Sequence, residues 1–147
     1  MLEGFKLTKD FIQFEDKVSN WQEAIIKSSN PLLKEGFIEQ SYVDAMIDSV
    51  KEYGPYIVIT PNIALPHARP ETGSKKVGFS ILKLKRPVAF SEQEDHKVQL
   101  LIALSCVEAA THLEMLQSIV TILSDEEKHH AIFHAETVDE ILELFNE

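Results

Sequence analysis

The chain has 147 residues, of which 44% are hydrophobic and 26% charged, a balance typical of one globular domain with a buried core. Its formal net charge is −10, which argues against nucleic acid and anionic membrane surfaces as partners. No apolar run approaches the roughly 20 residues of a membrane helix, the N-terminus lacks the pattern of a secretory signal, and Cys106 alone cannot form an internal disulfide. We therefore expect one domain over residues 1–147, cytoplasmic and not inserted into a membrane.

Two helices are predicted in the first third of the chain. Residues 19–22 match a capping box that opens the first helix, residues 30 and 31 (Asn-Pro) break or restart it, and Gly36 ends it. The second helix runs from about Gln40 to Tyr53, and Gly54 is its predicted C-terminal cap. Its apolar stripe at helical spacing consists of Val43, Met46, Ile47 and Val50.

Strands are predicted in the middle of the chain. Residues 57–59 form a short one, and alternating apolar residues predict a half-buried one over 76–84. Residues 87–90 are expected to form a short edge strand, where Pro87 is tolerated. Residues 98–104 are almost wholly apolar, as in a central strand covered on both faces.

The last third is predicted to be helical. A capping box at 111–114 opens a helix to about Leu123, Ser124 and Asp125 cap a second that runs through Phe133, and a box at 137–140 opens a third. The apolar face predicted for the first of these helices consists of Leu113, Leu116, Val120 and Leu123. The fold class is therefore α/β: a single-domain sandwich with a central mixed β-sheet flanked by helices on both faces.

His67 is the first candidate for chemistry. Pro66 and Pro70 fix φ on either side of it and lack backbone donors, so the imidazole lies on a stiff, irregular segment. Arg69 points to the same side in extended backbone. A nitrogen nucleophile beside a guanidinium suits a phosphoryl group, and a neutral imidazole is a suitable reversible carrier. The alternative is a structural histidine that bonds a neighbouring carbonyl.

His112 is the second candidate, because it directly follows Thr111, the predicted helix cap. Free backbone N–H groups and the positive end of the helix dipole would keep the ring neutral and attract an anion such as phosphate. The alternative is a polar residue in a first helical turn without a chemical role.

The other candidates are weaker. His130 and His134 are four residues apart on a predicted helix, next to His129, as in many zinc sites. No third ligand with suitable spacing accompanies them, so a solvated helix face is the better interpretation. Cys106 ends the apolar strand, where a buried thiol is the default. The sequence has no P-loop and 5 glycines, which argues against a nucleotide cradle and against ATP as a phosphoryl donor.

Residues 61–67 read Pro-Asn-Ile-Ala-Leu-Pro-His. This segment resembles the active-site signature of the mannitol/fructose-type enzyme IIA components of the bacterial phosphoenolpyruvate-dependent sugar phosphotransferase system. The resemblance covers nearly the whole chain, from the helix at 21–25 to His112. Residues 54–56, 64–71 and 82–85 look most like the ascorbate-type branch. Ala68 follows the histidine where other branches commonly carry glycine, which argues against mannitol or fructose.

The resemblance implies that His67 takes a phosphoryl group from the phosphohistidine of the carrier protein HPr. His67 would pass the group to a cysteine on the cognate enzyme IIB component, which together with the membrane IIC component phosphorylates the incoming sugar. His112 would donate a hydrogen bond to the phosphoryl group, and Arg69 would help electrostatically. Lys51 is the nearest match to an upstream arginine that helps in some relatives. No metal or other cofactor is implied.

Several points stay open from the sequence. Thr60 or Asn62 could complete the phosphoryl site. A regulatory enzyme IIA-like module, which binds a partner according to its phosphorylation state, would have the same fold and the same His67. A metal-binding or hydrolytic protein that uses the C-terminal histidines is a third hypothesis.

Overall fold

The computed structural model describes residues 5–146. A first strand is followed by two helices, a group of strands and three helices, and the order after that first strand is as predicted. The helices are α1 (Trp21–Lys34), α2 (Gln40–Tyr53), α3 (Ala109–Ser124), α4 (Glu126–His134) and α5 (Val138–Asn146). The strands are β1 (Ile12–Glu15), β2 (Val58–Thr60), β3 (Asn62–Ala64), β4 (Gly78–Ala89) and β5 (Lys97–Ser105). Over the described range, none of the helices has the length and apolar character needed to cross a membrane. The secretory-signal prediction rests partly on residues 1–4, which lie outside the described residues.

The strands form a single five-stranded sheet in the order β1-β4-β5-β3-β2. β1 is parallel to β4 and β3 is parallel to β5, whereas the β4–β5 and β2–β3 pairs are antiparallel. The sheet is therefore mixed, as predicted. β5 lies at its centre, and the apolar run at 98–104 is buried except at Gln99, which is partly exposed.

Helices cover both faces of this sheet, as two residues of β4 demonstrate. The Ser80 hydroxyl donates to the backbone carbonyl of Ser28 in α1. The Lys83 ammonium donates to the carbonyl of Phe133, at the end of α4, over 3.0 Å. Residues an odd number of positions apart point to opposite faces of a strand, so α1 and α4 pack on opposite sides. The predicted sandwich is confirmed.

Short polar side chains determine where several helices begin. Asp125 accepts from the backbone N–H of Lys128, and Thr137 accepts from that of Glu140, as the sequence predicts for α4 and α5. For α1 the cap is one residue later than predicted, because Asn20 accepts from the N–H of Glu23. Gly54 caps α2, and its φ of 85° lies in the region that glycine tolerates.

Pro31 does not break α1, contrary to the prediction. It lies inside the helix, where its ring nitrogen cannot donate to the carbonyl of Lys27 four residues earlier. The side chain of Gln13 in β1 replaces that donor, with its amide nitrogen 2.7 Å from the Lys27 oxygen. The helix continues to Lys34, and Gly36 follows with a φ of 78°, so the predicted end is confirmed.

The strand predictions need three corrections. β1 and β3 were not predicted. The segments expected at 76–84 and 87–90 form the single strand β4, whose pairing with β5 shifts register between Lys83 and Val88. Pro87 lies in this irregular stretch, where a missing donor is tolerated, and β4 is not an edge strand because it pairs with both β1 and β5.

Helix α3 begins earlier than predicted. It starts at Ala109, and the Thr111 hydroxyl donates to the carbonyl of Glu108 instead of capping the helix. Its buried residues are Met115, Ile119 and Leu123. Leu113 and Val120, predicted on the buried face, are 58% and 46% exposed. Only Leu123 of the four predicted core positions is fully buried, with Leu116 partly buried.

Candidate functional site

The parallel pairing of β3 and β5 brings His67 and His112 together. Strands that run parallel end at the same edge of a sheet, and each histidine follows one of these strands, His67 in the loop after β3 and His112 in the helix after β5. The ring centroids lie 5.4 Å apart with their planes tilted by 49°. Two histidines separated by 45 positions in the sequence therefore form one site.

The loop around His67 is held by hydrogen bonds to its neighbours. Leu65 donates its N–H to the carbonyl of Ile57 over 2.8 Å, and Leu104 of β5 donates to the carbonyl of Pro66 over 2.9 Å. The His67 ring nitrogen Nδ1 lies 2.6 Å from the carbonyl oxygen of Leu65. A carbonyl only accepts, so Nδ1 carries the proton. The neutral ring consequently has its lone pair on Nε2.

His67 is partly buried, and this changes its protonation. Burial lowers the pKa of His67 below the ordinary 6.5; the hydrogen bond to Leu65 opposes this, and the neighbouring His112 lowers it further. A depressed pKa keeps the imidazole uncharged near neutral pH. The ring is therefore available as a nucleophile at Nε2. The bond to the Leu65 carbonyl is also the one expected of a structural histidine, so the chemical interpretation rests on the neighbouring His112.

His112 lies close to, but not at, the start of α3. It is the fourth residue of the helix, and its own N–H already donates to the carbonyl of Glu108 over 3.1 Å. The prediction that it occupies the first helical position is wrong, because the helix begins before Thr111. Its ring is partly exposed and has no hydrogen-bond partner within residues 5–146. The imidazole is thus available to a ligand beside His67.

Both histidines line an open cleft of about 620 Å³. The other lining residues are Ser49, Tyr53, Tyr56, Ala68, Arg69, Pro70, Glu108 and Ala109. The Arg69 side chain is exposed, and no carboxylate in the described part of the chain lies within ion-pair distance of it. Its guanidinium can therefore pair with an anion that enters the cleft. Ala109 adds the N-terminal turn of α3, whose free N–H groups also favour anions.

Lys51, Thr60 and Asn62 do not line this cleft. Lys51 is in α2 between the cleft residues Ser49 and Tyr53, and a step of two residues turns a helix by about 200°. Its side chain therefore leaves the helix on the far side. Asn62 lines a different surface depression together with the C-terminal histidines. The position of these residues gives no support to the roles expected of them.

His130 and His134 contact each other on α4. Nδ1 of His134 lies 2.9 Å from the carbonyl of His130, and the two rings stack with centroids 3.9 Å apart. Within residues 5–146, no three His, Cys, Asp or Glu side chains are arranged to hold a metal ion. Cys106 is buried, and burial raises the pKa of its thiol to about 11, so the thiolate is scarce at neutral pH.

Two tyrosines near His67 were not identified from the sequence. The Tyr56 hydroxyl donates to the His67 carbonyl over 2.6 Å, and its ring stands edge-on to the imidazole with centroids 5.4 Å apart. The Tyr42 hydroxyl accepts from the N–H of Ala68 over 3.1 Å. The only available signal for Tyr42 was a polar hydroxyl beside the apolar stripe of a predicted helix, and this does not indicate its partner.

Comparison with known proteins decides the family. The sequence model of the family described as "Phosphoenolpyruvate-dependent sugar phosphotransferase system, EIIA 2" matches residues 5–147. The chain belongs to this EIIA family. It is therefore a phosphotransferase component, and the resemblance found in the sequence is confirmed.

Three relatives show which members of the family this EIIA chain is similar to. It is 37% identical over 136 residues to the "Ascorbate-specific PTS system EIIA component" of Escherichia coli K12, covering 92% of this chain and 88% of that protein. The solution structure of the mannitol-specific cryptic phosphotransferase enzyme IIA of E. coli matches with a TM-score of 0.86 and 32% identity, covering 92% of each chain. The E. coli mannitol enzyme IIA, solved in a complex with phosphorylated enzyme IIB, matches with a TM-score of 0.83 and 30% identity over 96% of this chain and 97% of that one.

Proposed function

We propose that this EIIA chain carries a phosphoryl group on Nε2 of His67, from the phosphohistidine of HPr to a cysteine of the cognate enzyme IIB component. The observation that carries the proposal is the hydrogen bond from Nδ1 to Leu65, which leaves Nε2 unprotonated beside His112 and Arg69. The relative solved with phosphorylated enzyme IIB supports IIB as the acceptor. The similarity to the E. coli ascorbate-specific component supports uptake of ascorbate or a related sugar, and a cytoplasmic location.

The first transfer forms one bond and breaks one. The lone pair of Nε2 attacks phosphorus, the N–P bond of the donor phosphohistidine breaks, and the donor ring leaves with the electron pair. Positive charge develops on the His67 ring as the new N–P bond forms. The Leu65 carbonyl, 2.6 Å from Nδ1, stabilises that charge without accepting the proton.

The second transfer reverses these roles. A cysteine thiolate of IIB attacks the phosphorus and an S–P bond forms. The Nε2–P bond breaks, its electron pair returns to Nε2, and the His67 ring becomes neutral again. Donor and acceptor are both reactive phosphorylated side chains, so catalysis consists mainly of in-line positioning and stabilisation of the equatorial oxygens. His112 supplies a ring N–H donor and Arg69 a positive charge for those oxygens. An open cleft suits a site that two different proteins must reach.

Phosphorylation from phosphoenolpyruvate, enzyme I and HPr tests this proposal. The wild-type chain should acquire one acid-labile, alkali-stable phosphoryl group, and His67→Ala should acquire none. His130→Ala is a matched control, because that histidine is exposed on α4 outside the cleft and should be labelled like wild type. Labelled protein should then lose its group to a IIB component but not to a IIB variant whose cysteine is replaced by serine. Normal labelling of His67→Ala would refute the proposal.

A further inference from the structure

The peptide unit that joins His67 to Ala68 is held at both ends by tyrosine hydroxyls. Its carbonyl, on His67, accepts from the Tyr56 hydroxyl over 2.6 Å. Its N–H, on Ala68, donates to the Tyr42 hydroxyl over 3.1 Å. We call Tyr42 and Tyr56, with these two hydrogen bonds, the tyrosine clamp.

Tyr42 is the more deeply anchored half of the clamp. Its side chain is 2% exposed, and its hydroxyl also donates to the carbonyl of Leu104 over 2.7 Å. The same Leu104 donates its N–H to the carbonyl of Pro66, on the other side of His67. Burial raises the pKa of Tyr42 to about 12, so the hydroxyl keeps the proton that it donates. One buried side chain on α2 therefore ties the loop to the central strand.

A clamp of this kind fixes the direction in which His67 projects. The peptide unit is planar, so holding its oxygen and its N–H sets the orientation of the whole plane. That orientation determines ψ of His67. Pro66 restricts the backbone on the other side, and Nδ1 is bonded to Leu65. The remaining freedom of Nε2 is small.

We propose that Tyr42 and Tyr56 are positioning residues for phosphoryl transfer, which act through His67 by holding the peptide unit that follows it. This inference rests on the proposed role of His67 as the phosphoryl carrier. In-line transfer depends steeply on geometry, and a displacement of about 1 Å can cost about 100-fold in rate. Loss of a clamp hydroxyl should therefore slow transfer although His67, His112 and Arg69 are unchanged.

The test compares Tyr42→Phe and Tyr56→Phe with Ser80→Ala. Each tyrosine variant loses one hydroxyl and keeps its ring. Tyr56 is 41% exposed, so water can replace its hydroxyl and the variant should fold even if Tyr42→Phe does not. Ser80→Ala is the matched control, because it removes a buried hydroxyl that donates to a backbone carbonyl in α1, outside the cleft. Single-turnover phosphorylation by phospho-HPr is measured per folded molecule, at saturating and at sub-saturating donor.

We expect the rate at saturating donor to fall by about 10-fold in each tyrosine variant. The donor concentration at half-saturation should change little in Tyr42→Phe, since that hydroxyl is buried outside the cleft and acts on His67 and not on docking. Nitrogen-15 NMR of the His67 ring in the unphosphorylated protein should show loss of the single Nδ1–H tautomer. Ser80→Ala should lose stability only.

The clamp proposal would be overturned if both tyrosine variants were phosphorylated at the wild-type rate per folded molecule. It would also be overturned if their rates fell no more than the rate of Ser80→Ala. The ring tautomer separates this failure from failure of the proposed function. If wild-type protein accepts no phosphoryl group, the proposed function fails, and the NMR spectra of the same variants still decide whether the two hydroxyls position His67. An unchanged tautomer in both variants would then overturn the clamp.

Discussion

His67 and His112 stand with their ring centroids 5.4 Å apart, yet neither ring holds the other by a hydrogen bond. Nδ1 of His67 is committed to Leu65, and within residues 5–146 the His112 ring has no hydrogen-bond partner. Nε2 of His67 therefore keeps its lone pair, and the His112 imidazole next to this ring is available to a ligand. We propose the corresponding roles: His67 is the nucleophile and His112 is the hydrogen-bond donor to the phosphoryl group.

His112→Ala should slow phosphorylation of His67 by about 100- to 1,000-fold, because it removes one donor to the charge that develops on the phosphoryl oxygens. His112→Gln should recover part of the loss, since its amide supplies an N–H donor. Single-turnover transfer from phospho-HPr measures the effect, with His130→Ala as the control. Equal rates for wild type and His112→Ala would exclude His112 from the transfer step.

Stability should fall on the acid side of neutrality because of His67. Its pKa is lowered in the folded state, chiefly by burial, so between that lowered value and 6.5 the unfolded chain binds more protons than the folded one. The free energy of unfolding therefore decreases as the pH falls through this window. Urea unfolding between about pH 5 and pH 8 should show a smaller decrease in His67→Gln than in wild type.

Proton NMR of the His67 ring checks directly whether its lowered pKa causes this pH dependence of stability. The titration midpoint should lie below 6.5, and it should rise in His112→Gln because the charge of His112 contributes to the lowering. A midpoint at or above 6.5 in the wild-type chain would contradict both the pH dependence and its assigned cause.

Gln13 should stabilise α1 only because Pro31 is there. Gln13→Ala leaves the Lys27 carbonyl without its donor and should cost about 1 kcal/mol of unfolding free energy. In a Pro31→Ala background the new N–H can bond Lys27 itself, so the same Gln13→Ala change should cost less. Urea unfolding of the two single variants and the double variant measures this coupling. Equal costs of Gln13→Ala in both backgrounds would show that the two residues act independently.

The Gln13–Pro31 pair also explains what the sequence did not predict. Pro31 read as a helix breaker because proline removes a local donor, but the replacement donor comes from a strand 14 positions before Lys27. β1 was missed for a related reason: its four residues are held by parallel pairing with β4, about 70 positions further along the chain. Such pairings leave no local pattern.

Local signals worked where a short side chain caps its own helix or a glycine ends one. Asp125 and Gly54 predicted their helix ends correctly. The predicted start of helix α3 is wrong because no side chain caps this helix, whereas Thr111 matches the sequence pattern of a cap. His67 and Arg69 were found from local spacing, but Tyr42 required the contact between α2 and the loop after β3.

The position of the phosphoryl group on the His67 ring tests the central claim most directly. Nitrogen-15 and phosphorus-31 NMR of the phosphorylated chain distinguishes the two ring nitrogens. We predict phosphorus on Nε2 of His67, with Nδ1 still protonated and bonded to Leu65. Phosphorus on Nδ1, or on His112 in place of His67, would contradict the account.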